Sequence, residues 1–189
     1  MTNKYFYITT PIYYPSGKPH MGHAYSSIVA DIFARFKRLE GYNVLFLTGT
    51  DEHGQKIQRT AEQNNISPMA HCDQVSERYQ DLWSRWNISQ DRFVRTTNPR
   101  HLQLVEQFYE RVKASGDIVT GRQTGWYCVG CEEYKDDPDD AVDPQCPIHQ
   151  KTLEWRDEEN LFFRLSRYQR DIEELIANDD FIAPASRRQ

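Results

Sequence analysis

The chain of 189 residues contains no apolar run that approaches the ~20 residues a bilayer-spanning helix requires, so no membrane span is expected. Its opening stretch, Met1 to Thr10, lacks the basic flank and apolar block of a secretory signal, which points to a cytoplasmic protein. Positive charge is also short. With 23 Lys and Arg against 28 Asp and Glu, the net charge of -5 leaves no electrostatic footprint for nucleic acid over the whole chain, although a local basic groove stays open. Cysteine is sparse and unevenly spaced: Cys72 stands alone, while Cys128, Cys131 and Cys146 cluster, a pattern that in a reducing compartment favours metal over disulfides. There is no internal repeat. What is present, 38% hydrophobic residues including 13% aromatics, is enough to bury a core and sets aside the disordered class. The length fits one good-sized domain, or a domain with a small satellite.

Lys4 to Thr10 alternates and is β-rich, so a short strand is expected there, followed by a loop punctuated by Pro11, Pro15, Gly17 and Pro19. From Met21 to Leu39 the residues Ala24, Ile28, Ile32, Phe36 and Leu39 recur at helical spacing, with Ser27, Asp31, Arg35 and Arg38 toward the other face and Gly41 at the stop. Val44 to Leu47 reads as a parallel strand covered on both faces, which completes a βαβ unit. Ser67-Pro68 opens a helix carrying Cys72, Val75, Tyr79, Leu82 and Trp86, and Asn98-Pro99 opens another carrying Leu102, Val105, Phe108 and Val112. On that apolar face Cys72 is expected to be a buried, inert thiol. Beyond Gly116 glycine and proline break up short β-like pieces, so a boundary is placed there, giving 1–116 and 117–189. Asp136 to Asp143 reads as a solvated acidic loop, Asn160 to Leu165 as a strand, and Ser166 with Gln169 as a capping box for a last helix through Ile172 and Ile176. Ala183 to Gln189 shows no terminating pattern, and a cut is expected.

Three groups of residues could carry chemistry. His20-Met21-Gly22-His23 follows the first strand and opens the long helix, where unpaired amides and the positive dipole end suit phosphate. Gly22 would allow a nucleotide to approach the backbone, and His20 and His23 could donate to phosphoryl oxygens. Two capping or surface histidines, or a shared metal, are the competing readings, and the location after the first strand of a βαβ unit favours phosphate. Thr48 to Gly54 follows the second strand, and Asp51 in it could hold an ammonium group; a plain acidic helix start with Gly49 as a turn is the alternative. Last, Cys128-Val129-Gly130-Cys131 and, after fourteen residues, Cys146-Pro147-Ile148-His149 have the spacing of a tetrahedral Cys3His zinc knuckle. Four protein ligands leave no open position, so that metal would be structural.

Taken together, Ile8 through His23 resembles the signature region of the methionyl-tRNA synthetase family, which is class I. Leu47 through Ile57 is similar to that family's second block, Gly125 through Glu133 to the start of its zinc-bearing insertion, and Glu158 through Ser166 to the segment after it. The resemblance implies an α/β fold: a Rossmann-like, parallel-sheet catalytic half-domain at 1–116, then an inserted, truncated connective-peptide domain at 117–189 with its zinc knuckle at about 125–157. It implies methionine activation by ATP with Mg, and transfer to tRNA(Met). By matching positions, His20 and His23 would stabilise the ATP phosphates, with Gly22 in the ATP-binding turn. Asp51 would bind the amino group of L-methionine, Ile12 and Tyr14 would line its thioether pocket, and Cys128, Cys131, Cys146 and His149 would hold one structural Zn per chain. Two positions depart from the family's pattern: Met21 stands where isoleucine or leucine is usual, and His149 where many relatives have cysteine. No lysine-rich KMSKS run occurs, so the chain by itself is expected to activate little or no methionine. A cofactor adenylyltransferase and a nucleic-acid-binding knuckle are the alternatives. The first needs neither the Asp51 block nor the cysteines, and the second is poorly served by acidic flanks.

Overall fold

A computed structural model describes residues 4–15, 17–135, 143–178 and 181–187. The acidic stretch expected to be a loop lies outside the described residues except for Asp143, and Ser16 of the first motif lies outside them as well. Two compact units form, Met1–Leu104 and Val105–Gln189.

The first unit alternates strand and helix. β1 (Tyr5–Thr9) leads through a loop to α1 (Met21–Leu39), and β2 (Asn43–Thr50) returns parallel to β1 in register from Tyr5↔Asn43 to Thr9↔Leu47. α2 (Gln55–Gln63) and α3 (Pro68–Arg85) follow, and β3 (Arg92–Arg95) adds parallel to the far side of β2, giving the order β1-β2-β3. This is the parallel α/β arrangement expected. The core has two centres: Phe46 of β2 with Ala30 and Ala34 of α1, and Tyr13 with Val75, Tyr79 and Trp83 of α3. Ser67 caps α3 by accepting from the Ala70 amide at 3.2 Å, and Pro68 occupies its first turn, as the sequence indicates. Cys72 is buried on that helix, as expected, and burial, reinforced by the nearby Glu52 charge, pushes its thiol up to about 11, which keeps it protonated at neutral pH.

The buried face of α1 differs from the one its apolar spacing indicates. Ala24, Ser27, Ala30, Asp31 and Ala34 are buried, whereas Ile32, Phe36 and Leu39 are 60%, 53% and 88% exposed. The small side chains of Ala30 and Ala34 let the helix lie close on Phe46. The two polar groups they bring inside are satisfied: Ser27 Oγ lies 2.7 Å from Tyr13 Oη, and Asp31 accepts from the Ser89 amide and from Arg35 Nε, both at 2.7 Å.

α4 (Pro99–Ala114) runs across the division between the units. In the second unit β4 (Ile118–Cys128) pairs antiparallel with β5 (Glu133–Lys135) on one side and with β6 (Glu154–Phe163) on the other, in register from Ile118↔Phe163 to Tyr127↔Glu154. The strand expected at Asn160 to Leu165 therefore begins at Glu154. The expected capping box at Ser166 is absent; a 3-10 turn, Leu165–Tyr168, precedes α5 (Gln169–Ala177), whose cap, Tyr168, makes no side-chain capping bond. Asp117 sets this turn: its carbonyl accepts from the Arg164 amide at 2.8 Å, and its carboxylate accepts from Tyr168 Oη at 2.6 Å and from Arg167. Among the described residues no helix is long and apolar enough to cross a membrane.

Candidate active site and metal centre

The carboxyl ends of β1 and β2 lie side by side because the strands are parallel. The chain leaving β1 stays extended along β2: the Thr10 amide donates to Leu47 O at 3.1 Å, the Tyr13 amide to Gly49 O at 2.9 Å, and the Asp51 amide to Tyr13 O at 2.9 Å. Alternation in this extended stretch sends Tyr13 into the core and leaves its neighbours Ile12 and Tyr14 exposed on the other side. Ile12, Tyr14, Gly17, Lys18, His20 and His23 line one cleft of ≈ 420 Å³. Asp51 does not wall this cleft but is tied beside it through Tyr13. Among the described residues its carboxylate has no ion-pair or hydrogen-bond partner. Gly49 is not a turn. It lies inside β2, where a Cβ would meet the Val94 carbonyl oxygen at 2.0 Å, so only glycine fits between β2 and β3.

His20 is the N-cap of α1. Its Nδ1 accepts from the Gly22 amide at 3.1 Å, while the His20 amide donates to His23 Nδ1 at 3.3 Å, a capping box built from two imidazoles. The rings stack with centroids 3.8 Å apart. The structure thus brings His20 and His23 together at the helix start, but the first-turn amide of Gly22 is already taken by His20. A Cβ at Gly22 would lie 3.0 Å from His20 Cε1, a tight contact that the His20 ring would have to shift to relieve. These capping bonds use Nδ1 of each ring and leave the two Nε2 atoms to meet an anion in the cleft. Burial, and then the neighbouring His20, lower the pKa of His23, so it is a neutral hydrogen-bond donor at neutral pH.

Beside Asp51, the Glu52 carboxylate is fully enclosed. It accepts from Thr50 Oγ1 at 2.6 Å, from Arg95 Nε at 2.7 Å and from Thr97 Oγ1, and the Glu52 amide donates to Thr96 Oγ1 at 2.8 Å. Arg95 also forms an ion pair with Asp73 at 2.7 Å. Burial alone would raise the Glu52 pKa, but the hydrogen bonds from Arg95, Thr50 and Thr97 outweigh it and hold the carboxyl below its usual range. Glu52 was read only as part of a motif. Apart from Thr50, the residues that define its place are 43 to 45 positions away, and no local pattern announces them.

In the second unit Cys128 at the end of β4, Cys131 in the turn before β5, and Cys146 and His149 between β5 and β6 place one donor atom each within 4.8 Å of all the others, a set that could hold a metal ion such as zinc. Cys131 Sγ lies 3.5 Å from Cys146 Sγ and 3.3 Å from His149 Nδ1, and Cys128 and Cys146 Sγ each lie 3.8 Å from that nitrogen. A tetrahedral zinc with ordinary bond lengths has edges of about 3.5 to 3.8 Å, which these four separations of 3.3 to 3.8 Å approach. The Cys131 amide donates to Cys128 Sγ and the His149 amide to Cys146 Sγ, both at 3.4 Å, which fixes the two turns as a matched pair. His149 therefore faces the sulfurs through Nδ1. Its ring packs on Gly130, where a Cβ would meet His149 Cγ at 2.7 Å.

A family model described as tRNA synthetases class I (M) matches residues 6–148 and 135–188. The chain is 56% identical over 185 residues to the methionine–tRNA ligase of a Synechocystis species, covering 97% of this chain and 35% of that protein. It is 44% identical over 187 residues to the methionine–tRNA ligase of Thermotoga maritima, covering 97% of this chain and 30% of that one. Among solved structures, the Mycobacterium tuberculosis methionyl-tRNA synthetase in complex with methionyl-adenylate superposes with a TM-score of 0.90 at 39% identity, over 98% of this chain and 37% of that one. The chain thus spans about a third of the length of the relatives it matches.

Proposed function

The chain belongs to the class I tRNA synthetases of the M type, and from that premise we propose that it supplies the nucleotide and amino-acid crevice of a methionine–tRNA ligase. In this reading a polypeptide of the relatives' length joins L-methionine to the α-phosphate of ATP, with Mg accompanying the nucleotide, and passes the methionyl group to tRNA(Met) in cytoplasmic translation. His20 and His23 donate Nε2–H to the phosphates as charge builds on them, next to the turn that Gly22 closes. Asp51 takes the ammonium of methionine by a charge-assisted bond, and Ile12 with Tyr14 receives the thioether. Residues 117–189 act as a connective-peptide insertion in a Rossmann-like catalytic domain. Cys128, Cys131, Cys146 and His149 hold one structural zinc there, which would supply folding free energy and no open coordination site.

One observation carries the proposal. The paired imidazoles and the Ile12/Tyr14 wall share a single cleft, and Asp51 is hydrogen-bonded through its amide to Tyr13, the residue between that wall's two members. The test is methionine-dependent ATP–pyrophosphate exchange by a chimera in which residues 1–189 replace the matching part of the Synechocystis relative. The chimera should exchange, the chain alone should exchange little or not at all, and His20→Asn or His23→Asn should lower the chimera's rate by about 10²–10³-fold. Exchange that ignores both substitutions would sink the reading.

A further inference from the structure

We propose that Tyr79 is a positioning residue: its hydroxyl fixes which nitrogen of His23 carries the proton, so that His23, like His20, presents Nε2–H to the cleft. Tyr79 comes from α3 and is fully buried, with its ring stacked on Tyr13 at 5.1 Å and 19°. That stack holds Tyr79 Oη 2.9 Å from His23 Nδ1. The His20 amide reaches the same nitrogen at 3.3 Å. A backbone amide can only donate, so Nδ1 is an acceptor and cannot carry hydrogen; the phenol then serves as the second donor, and the proton sits on Nε2. Burial, with a contribution from Tyr13, pushes the phenol up to about 12, so it remains a donor throughout the neutral range. At His20 the Gly22 amide performs the same office, donating to Nδ1 at 3.1 Å. The two rings of the turn are thus locked into one tautomer by different devices, one local and one from 56 residues away.

The consequence for phosphate rests on the function proposed above; the lock itself does not. In the opposite tautomer His23 would turn a lone pair toward phosphoryl oxygens, exchanging a donor for a repulsive contact. Among the described residues, the titratable and charged groups that face His23 are His20 on α1, Tyr13 from the loop after β1, Tyr79 from α3, and Lys18 across the cleft, none of them a carboxylate. Nothing in that set offsets the loss of the phenol.

The experiment is ¹⁵N NMR of the ring nitrogens in the histidine-labelled 189-residue chain, comparing the parent with Tyr79→Phe, which keeps the stacked ring, and Trp83→Phe, which disturbs the same aromatic column without touching His23. In the parent, His23 Nδ1 should resonate as an acceptor and Nε2 as protonated. In Y79F the tautomer ratio should shift by about five-fold toward Nδ1–H, the effect of one hydrogen bond, and the His23 titration midpoint should rise, while W83F should leave both unchanged. An unchanged ratio in Y79F, or an equal shift in W83F, overturns the lock and leaves the nucleotide reading intact. Adding ATP with Mg should move the His23 Nε2 signal in the parent, and less at equal concentration in Y79F. A tautomer shift in Y79F with His20 and His23 both indifferent to ATP supports the lock and counts against the nucleotide reading.

Discussion

At Glu52 a buried carboxylate meets two hydroxyl donors and a guanidinium, and it fixes the chain directly beside Asp51. Removing its charge leaves Asp73, half-exposed to water, as the one ion-pair partner of Arg95 among the described residues. Glu52→Gln is expected to destabilise the first unit by about 3 kcal/mol, the scale for breaking one side of a buried pair, measured by urea denaturation. The pH dependence follows from the lowered pKa. Because the folded state binds the proton more weakly than the ordinary carboxyl at 4.5, the stabilisation is complete above that value and is lost as pH falls below it through the folded pKa. E52Q should lack that part of the acid dependence, and a parallel fall in both proteins would remove Glu52 from the account. At this scale the sequence reveals residues whose partners are local, such as His20 and His23. It hides those, like Glu52 and Tyr79, whose partners arrive from another element.

The helices show where periodicity is informative and where it is not. The spacing locates α1 and α3 and their starts, because caps and periods are properties of the local chain. Which face goes inside is a property of what packs against the helix. In α1 the inside face is Ala30, Ala34, Ser27 and Asp31, so the more hydrophobic stripe, Ile28, Ile32, Phe36 and Leu39, is left outward. β3 escapes notice because Arg92–Arg95 has charged ends and only two apolar residues. Only the end of β6, from Asn160, is legible in the β4–β6 ribbon, because Gly121 and Gly125 interrupt one strand and a charged run fills the start of the other. A contiguous apolar stripe of this size on the chain by itself should bind a hydrophobic dye and drive association. The double substitution Ile32→Glu, Phe36→Glu should therefore lower dye fluorescence several-fold and reduce the concentration dependence of the sedimentation coefficient. It should cost less than about 1 kcal/mol in stability, since neither side chain is in the core. Loss of folding in that variant would show that the stripe is buried after all.

Over the whole chain, two kinds of cohesion are at work. The first unit has enclosed apolar centres around Phe46 and around Tyr79 and Trp83. The second unit's largest buried cluster is Cys128, Cys146 and Leu153, two of whose three members are donors of the metal set. Both facts have roots in the sequence: the alternation of strand and helix is visible before residue 116, and the paired cysteines stand out because so few others exist. Three thiols packed together offer little apolar area, so under the zinc proposal this cluster should depend on the ion for its order. One zinc per chain is therefore expected by atomic absorption. Chelation should strip hydrogen-exchange protection from amides such as those of Cys131, Cys146 and His149, while the Phe46 amide, bonded to Asp91 at 2.7 Å, stays protected. Gly130→Ala should weaken zinc binding by at least ten-fold, because its methyl would stand 2.7 Å from His149 Cγ and push the fourth donor out of place. His149→Cys keeps a donor at that corner and should restore tight binding in the presence of Gly130. If G130A retained full affinity while His149→Ala also did, the site would be a three-thiolate one and His149 a bystander.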